Sequence, residues 1–212
     1  MKLFSLFCLS LQGNTKATME HETISAKFKH VRVKSYDSPH PLYDMARSIC
    51  NPEGESCGDT VEYKGMTFRP YSCSDTYYDE NGIAKLEVNV YGLNEPEDRW
   101  WVYRRNAEEL AKEAKKREEQ EFKPHTVDYS YEKGRISWIN TYDYNERREL
   151  IHMEQAFYGD GLCDEFSETP LYTLISEISY EYDEYGNWVL SYLHCVDGLQ
   201  PDELTIREIE YQ

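Results

Sequence analysis

The chain has 212 residues, of which 40 are Asp or Glu and 23 are Lys or Arg, so its formal net charge at pH 7 is −17. A surface this acidic repels phosphate backbones and anionic lipid headgroups, which excludes nucleic acid as an expected partner. The length allows one domain with a real core, and the 40% apolar fraction includes 19 tyrosines, which suit half-buried sheet surfaces.

The first residues carry the features of an export signal. Lys2 precedes the apolar run LFSLFCLSL, which is too short to span a bilayer, and Thr15 and Ala17 stand at the small-residue positions of a cleavage site. We therefore interpret residues 1–17 as a signal peptide and expect the chain to be exported to the periplasm, the outer surface or the medium. The alternatives are an ordinary first strand and a mis-set start codon. No later segment is apolar and long enough to cross a membrane.

The cysteines fit an oxidising compartment. If Cys8 leaves with the signal peptide, an odd number remains, so one cysteine stays unpaired. The stretch CNPEGESC predicts a disulfide that closes a short loop between Cys50 and Cys57. Two other pairings stay open: Cys57–Cys73 and Cys163–Cys195. Neither CxxC nor a structural Cys/His spacing occurs, so the sequence predicts no metal and no cofactor.

Residues 18–60 read as an irregular N-terminal segment in which KFKHVRVKSY is the strand-like stretch. Two hairpins are then predicted over 61–92. VEYKGMTF turns at Lys64-Gly65, and YYDENGIAKLEVNV turns at Asn81-Gly82. Alternation of apolar and polar residues on both sides of each turn is typical of half-buried antiparallel strands.

A long helix is predicted after these hairpins, over about 95–122. Asn94 can cap its start, Pro96 suits a first turn, and two acidic residues follow. The apolar residues at helical spacing are Trp100, Tyr103, Ala107, Leu110, Ala111 and Ala114. The last turns, KKREEQE, carry no apolar stripe, so we expect that end to face solvent.

Hairpins resume over 127–212. VDYSYEKGRISWINTYDYNERREL alternates around turns near Gly134 and Asn145, SYEYDEYGNWVLSY turns at Gly186, and LTIREIEY predicts a closing strand. The expected fold is therefore mainly β: an antiparallel meander of degenerate hairpin repeats in one domain, residues 18–212, with one long inserted α-helix.

The turns share a recurring unit. YYDENGI, YEKGRI and YEYDEYGNW each combine a tyrosine, an acid, a turn glycine and a following branched or aromatic residue, and YDYNERREL keeps Tyr-Asp without the glycine. The repeat turn residues are Tyr78, Asp79, Gly82, Tyr131, Gly134, Tyr142, Asp143, Tyr182, Asp183 and Gly186. Because Asp can accept the backbone N–H bonds that close a turn, we interpret Tyr-Asp as a structural device and not as a catalytic pair.

This unit resembles the YD repeat of Rhs-type and teneurin-like proteins, in which Tyr-Asp followed by Gly-Arg marks successive hairpins. The chain is also similar to short exported YD-repeat-like proteins of Bacteroidetes, whose endings read much like LTIREIEY. The resemblance implies a β-sheet scaffold at the cell envelope, with no known activity. The units are too few to wrap a shell around a toxin, so the role of the large Rhs proteins does not carry over.

Neither a metalloprotease HExxH, a serine GxSxG nor a phosphate-binding glycine loop occurs, so the sequence predicts no enzyme. Acidic clusters offer oxygen atoms that calcium prefers, but none completes an EF-hand loop, and turn acids are the simpler interpretation. The clusters are Asp79-Glu80-Asn81 and Asp160 with Asp164 and Glu165.

The expected function is a non-enzymatic, secreted or cell-envelope scaffold that binds an unidentified protein or glycan. Its ligand surface would be aromatic, if the tryptophans are exposed and not in the core. They are Trp100, Trp101, Trp138 and Trp188. Two alternatives stay open: an immunity-like partner of a secreted toxin, whose acidic face meets a basic surface, and an acidic glycan hydrolase with two carboxyls beside an exposed tryptophan.

Overall fold

The computed structural model describes residues 27–40, 59–93, 101–159 and 167–212. The strands are β1 (Phe28–Asp37), β2 (Val61–Tyr63), β3 (Met66–Tyr78), β4 (Ala84–Tyr91), β5 (Trp101–Asn106), β6 (His125–Glu132), β7 (Arg135–Tyr144), β8 (Leu150–Phe157), β9 (Tyr172–Tyr182), β10 (Trp188–Cys195) and β11 (Glu203–Tyr211), and the helix is α1 (Ala107–Glu119). The following predictions lie outside the described residues: the signal peptide 1–17, the Cys50–Cys57 disulfide, Trp100, and the acids Asp160, Asp164 and Glu165.

The strands form one antiparallel sheet in the order β5-β4-β3-β1-β11-β10-β9-β8-β7-β6, with β2 paired to β3. The predicted fold class, a mainly β meander of hairpins with one helix in the described ranges, is confirmed. The sheet is open, and β5 and β6 are its edge strands. That one helix is not long and apolar enough to cross a membrane.

Strand β1 lies in the middle of the sheet, although it is the first of the described strands along the chain. It pairs with β3 on one side and with β11 on the other, and β11 continues to β10. The strand-like KFKHVRVKSY thus becomes a central strand, and β11 connects β1, β3, β4 and β5 to the meander from β6 to β10. The first and last described strands therefore hold the two halves of the sheet together.

One face of the central strands, here called the hairpin face, carries the main apolar cluster. Tyr36, Phe68, Tyr192 and Leu204 are buried there, and five partly buried side chains pack against them: Val61, Tyr63, Met66, Leu190 and Ile206. Strand β2 and the start of β3 thus cover β1, β11 and β10. Full burial of a large apolar side chain contributes about 1.5–3 kcal/mol, so this cluster is a principal stabilising element.

The helix is shorter than the sequence predicts. Residues 101–106, expected as its first turns, form β5 and pair with β4 from Tyr91↔Trp101 to Leu86↔Asn106. Val102 and Tyr103 are residue types that favour strands, and pairing with β4 overrides the helical spacing. The helix begins after Asn106, whose side chain accepts the N–H groups of Glu108 and Glu109 at 3.0 and 3.1 Å, and it ends at Glu119.

Charged contacts hold α1 against β4 and β5. Glu87 is 1% exposed, and its Oε1 accepts from Arg105 Nη2 at 2.6 Å and Nε at 3.0 Å. Arg105 also pairs with Glu113 of the helix, which in turn pairs with Arg117. No described residue of α1 is buried, so these ion pairs, and not an apolar stripe, position the helix. Arg105 and Glu87 lie on the opposite side of the sheet from the hairpin face, here called the helix face.

Candidate functional site

Three of the chain reversals are built alike and place the predicted turn residues. In each, the first N–H donates to the fifth carbonyl, and the fourth N–H donates to the first carbonyl, at 2.9–3.1 Å. The turns span 79–83, 145–149 and 183–187. The fourth residue has a positive φ: 80° at Gly82, 63° at Arg148 and 77° at Gly186. This is the three-residue hairpin loop that ends on a left-handed residue.

A side chain at the first position closes each of these turns. Asp79 Oδ1 accepts the N–H groups of Asn81 and Ile83, both at 2.9 Å. The bond from Ile83 holds the pKa of Asp79 below its usual value. Asp183 accepts in the same way from Tyr185 and Asn187, at 2.9 and 2.8 Å. Asp79 and Asp183 therefore have a structural role as acceptors of the backbone N–H groups of their turns.

The third turn differs from its sequence interpretation. Tyr142 and Asp143 lie within β7, and Asp143 binds His125 at 2.7 Å across to β6. Asn145 closes the turn instead, by accepting from Arg147 and Glu149 at 2.9 and 3.0 Å. The detectable signal was an Asx residue five positions before the next strand begins, because that spacing recurs in all three turns.

Gly134 belongs to a tighter reversal. It follows Lys133, and φ is 48° at Lys133 and 76° at Gly134. The pair Lys64 and Gly65 has nearly the same values, 48° and 78°. These are two-residue hairpin turns in which both central residues are left-handed. Tyr131 stands just before the turn on β6 and is 62% exposed.

The tyrosines of the repeat unit tie the turns together. Tyr182 donates to Glu149 Oε2 at 2.6 Å, and burial together with that carboxylate raises its pKa to about 12. Arg147 lies over the Tyr182 ring at 4.4 Å and donates to the carbonyl of Gly186 at 3.0 Å. Phenols with such a raised pKa stay protonated near neutral pH and act as donors, which is a structural role.

The structure does not gather the described tryptophans into one surface. Trp188 is 4% exposed. Trp138 packs against Phe157 and Tyr172, with ring centres at 4.7 and 5.8 Å. Trp101 is 74% exposed, but it lies on β5, at the opposite end of the sheet order from β7. An exposed tryptophan thus stands apart from the other two.

Among the described strands, the largest row of exposed apolar side chains on one side lies on β6, which sequence reasoning missed. Val127, Tyr129 and Tyr131 are 37%, 53% and 62% exposed. They alternate along the strand, so they share one side, and register with β7 and β8 places that side on the hairpin face. Alternation alone predicts a row but not whether anything covers it. The position of β6 at a sheet edge decides that.

The backbone of β6 also has N–H and C=O groups that do not bond to β7. The Tyr144 N–H donates to the Pro124 carbonyl at 2.8 Å. These two residues adjoin the pair His125↔Asp143: Pro124 precedes His125, and Tyr144 follows Asp143. That arrangement marks a pair that exchanges no hydrogen bonds, so the N–H and C=O of His125 point away from β7. Val127 and Tyr129 follow at two-residue spacing, so their N–H and C=O groups also point away from β7. In the described ranges β6 pairs with β7 alone, and His125, Val127, Tyr129 and Tyr131 are called the β6 edge below.

A polar cluster lies elsewhere, around Asp202. This carboxylate accepts from the Tyr192 hydroxyl at 2.5 Å and the Cys195 N–H at 2.9 Å, and it contacts His194 Nδ1 at 3.1 Å. The Ser38 N–H donates to the Asp202 carbonyl at 2.9 Å and the Asp202 N–H donates to Ser38 Oγ at 2.8 Å, which fixes the end of β1 to the same loop. Within the described ranges His194 hydrogen-bonds Asp202 only.

Glu203 is a carboxyl with a raised pKa. It lies opposite Asp37 in the β1–β11 pairing and accepts from the Tyr71 hydroxyl at 3.4 Å. Burial, with the nearby Asp37 charge, raises the pKa of Glu203 to about 8. Glu203 faces Leu193 near the end of β10, whereas Trp188 begins that strand, some 16 Å away at about 3.3 Å per residue. The tryptophan of β10 is therefore not beside this acid pair.

Cys73 and Cys195 are free thiols, so the alternative pairings through them are not formed. No group of three His, Cys, Asp or Glu within the described ranges is arranged to hold a metal ion. Comparisons of this chain with protein families, curated proteins and solved structures find no match.

Proposed function

We propose that this protein is a non-enzymatic β-repeat scaffold, secreted or at the cell envelope, that binds a protein partner through the β6 edge. The observation that carries the proposal is the exposed row of Val127, Tyr129 and Tyr131 on a strand that has one neighbour among the described strands. Apolar side chains clustered on a surface mark interaction sites, and edge strands are ready templates for another chain.

The edge lacks the prolines, lysines and bulges that commonly protect such a strand. The β6 sequence HTVDYSYE contains neither proline nor lysine, and it is eight residues long. The register shift nearby, between Ser130 and Tyr131, is an extra residue on β7, so β6 itself stays regular. Natural proteins blunt exposed edges with prolines, lysines or bulges, so an unprotected edge favours a binding role.

Protein is favoured over glycan as the ligand. Glycan binding by stacking would use exposed aromatic side chains such as tryptophan, and two of the three described tryptophans are packed among other side chains. Tyrosine is enriched in protein interfaces because its ring buries area and its hydroxyl stays hydrated. Export of the chain rests on the N-terminal apolar run and on the YD-repeat resemblance.

The test screens the full chain against a glycan array and a displayed random-peptide library in parallel. We expect enriched peptides whose binding is lost in the double variant Tyr129→Ser/Tyr131→Ser. The matched control is Ile83→Ser/Leu171→Ser, which removes two side chains that are each 58% exposed but lie away from β6. Enriched peptides that bind the β6 double variant as tightly, or glycans as the only ligands, would contradict the proposal.

A further inference from the structure

We infer that the partner presents an extended segment, alternating aromatic or β-branched residues with Lys or Arg, which adds to the sheet as a new strand along β6. The inference rests on the proposed function and specifies its ligand. Three features of β6 carry it: the direction of its backbone groups, its aromatic row, and the charge on its other side.

The backbone supplies the first contact. His125, Val127 and Tyr129 direct their N–H and C=O groups away from β7, as the Tyr144–Pro124 bond shows. An incoming strand would satisfy these groups with hydrogen bonds at two-residue spacing, as β7 does on the other side. An extended segment therefore fits this edge, whereas a helix would leave the groups unpaired.

The hairpin-face side of β6 selects apolar residues. A strand added beside β6 places its side chains about 5 Å from those of Val127, Tyr129 and Tyr131. Aromatic and β-branched residues opposite such a row bury their surface and contribute about 0.2–1 kcal/mol per pair. Because side chains alternate along a strand, every second residue of the partner faces this row, and the residues between them face the helix-face side.

The helix-face side of β6 selects positive charge. Asp128 is exposed there, between the small side chains of Thr126 and Ser130, and forms no ion pair with a described residue. A Lys or Arg across from Asp128 forms a favourable cross-strand pair, whereas an acid is repelled. The charge of −17 on the whole chain adds long-range attraction for a basic segment.

The same charge disfavours a second copy of this chain as the occupant. Two copies meeting edge to edge would each bring a net charge of −17. Like-signed surfaces repel over roughly a Debye length, about 8 Å at physiological salt, so self-pairing is opposed where a basic partner is attracted. We therefore commit to the basic segment.

The experiment measures binding of short peptides to the full chain by fluorescence anisotropy. One peptide alternates Lys with Val and Tyr over nine residues, and its counterpart carries Glu in place of each Lys. We expect the acidic peptide to bind at least about ten-fold more weakly, because its pair with Asp128 becomes repulsive and the net charge of −17 repels it. Binding of the basic peptide should weaken as salt is raised.

Two further arms test strand addition itself. N-methylation of alternate peptide residues should abolish binding in one register and be tolerated in the other, because only one set of N–H groups faces β6. On the protein side, Val127→Pro removes an outward N–H and should weaken binding about ten-fold or more, whereas Val127→Thr should stay within about three-fold. The N-methyl arm needs no protein variant, so it decides the matter even if Val127→Pro misfolds.

Each outcome separates the inference from the proposed function. Equal binding of both peptides overturns the charge component, and indifference to N-methylation in both registers overturns strand addition. Concentration-dependent dimerisation that Val127→Pro abolishes would assign the edge to a second copy and overturn the inference. If neither designed peptide binds, but library peptides bind and need Tyr129 and Tyr131, the inference fails and the proposed function stands.

Discussion

The guanidinium of Arg207 lies 5.0 Å from the centre of the Trp188 ring, and the Phe28 ring lies 5.4 Å from the same group. Arg207 is 8% exposed, and its burial lowers its pKa. Within the described residues it forms no salt bridge. A cation is thus held on the helix face by aromatic rings.

This arrangement predicts that Arg207→Lys destabilises the fold more than Arg207→Met does. A guanidinium is weakly hydrated and stacks on rings, whereas an ammonium is strongly hydrated and loses more on burial. Methionine fills similar volume without charge. We expect a loss of about 2 kcal/mol or more in the free energy of unfolding for Arg207→Lys, and about 1 kcal/mol for Arg207→Met, in urea titrations. The opposite ranking would show that the positive charge itself is required.

The left-handed residue at Arg148 predicts that glycine is favoured over alanine at this position. At the equivalent position the other two turns have glycine, and a side chain there costs about 1 kcal/mol. Arg148 also lies over the Phe122 ring at 5.0 Å, so its replacement loses that contact. Comparing Arg148→Gly with Arg148→Ala isolates the backbone effect, and the glycine variant should be more stable by about 1 kcal/mol in thermal or urea unfolding. Equal stabilities would contradict this explanation.

The turn acceptor at Asp183 predicts graded losses. Asp183→Ala removes the acceptor of two backbone N–H groups and the carboxylate that binds the Tyr211 hydroxyl. We expect a loss of about 2 kcal/mol in the free energy of unfolding. Asp183→Asn keeps an oxygen acceptor and should lose clearly less. If both variants were equally destabilised, the charge, and not the turn geometry, would be the cause.

Glu203 predicts a pH dependence of stability. Its pKa is raised from 4.5 to about 8, so between these values the folded state keeps a proton that the unfolded chain has released. The free energy of unfolding should therefore fall as pH rises through this window, and the loss is complete above about pH 8.

The variant Glu203→Gln imitates the protonated form and serves as the measurement. Its stability should match that of the unmodified chain near pH 4.5 and exceed it increasingly toward pH 8, as followed by urea unfolding at several pH values. The exposed Glu154, changed to Gln, is the matched control and should leave the pH profile unaltered. Parallel profiles for the unmodified chain and Glu203→Gln would refute the assignment.

The sequence was sufficient for the hairpins because their signals are local. Asp79 with Gly82, and Asp183 with Gly186, contain both the side-chain acceptor and the left-handed residue within four positions. Asn145 and Arg148 perform the same functions with residue types that a search for Tyr-Asp and glycine does not select. The alternation around these turns predicts strands equally well in both cases.

Tertiary pairing explains what the sequence did not indicate. Residues 101–106 carry helical spacing, but they pair with β4 as a strand. The helix start is provided by Asn106 with Glu109, and not by Asn94 as predicted. In the sequence, the aromatic row of β6 has the same alternation as a buried row, and only the strand order shows that it lies at an edge. Trp188 and Trp101 illustrate the same limit, since a tryptophan in a strand gives no indication of whether it is covered.

The pairing of β1 with β11 has a consequence for synthesis on the ribosome. Partners such as Phe28 and Tyr211 are separated by nearly the whole described chain, so this ladder cannot form until the last strand emerges. Before that moment, β1 to β5 and β6 to β10 are two incomplete sheets, each with a second bare edge. Nascent chains stalled before residue 203 should therefore depend more heavily on chaperones than the released protein.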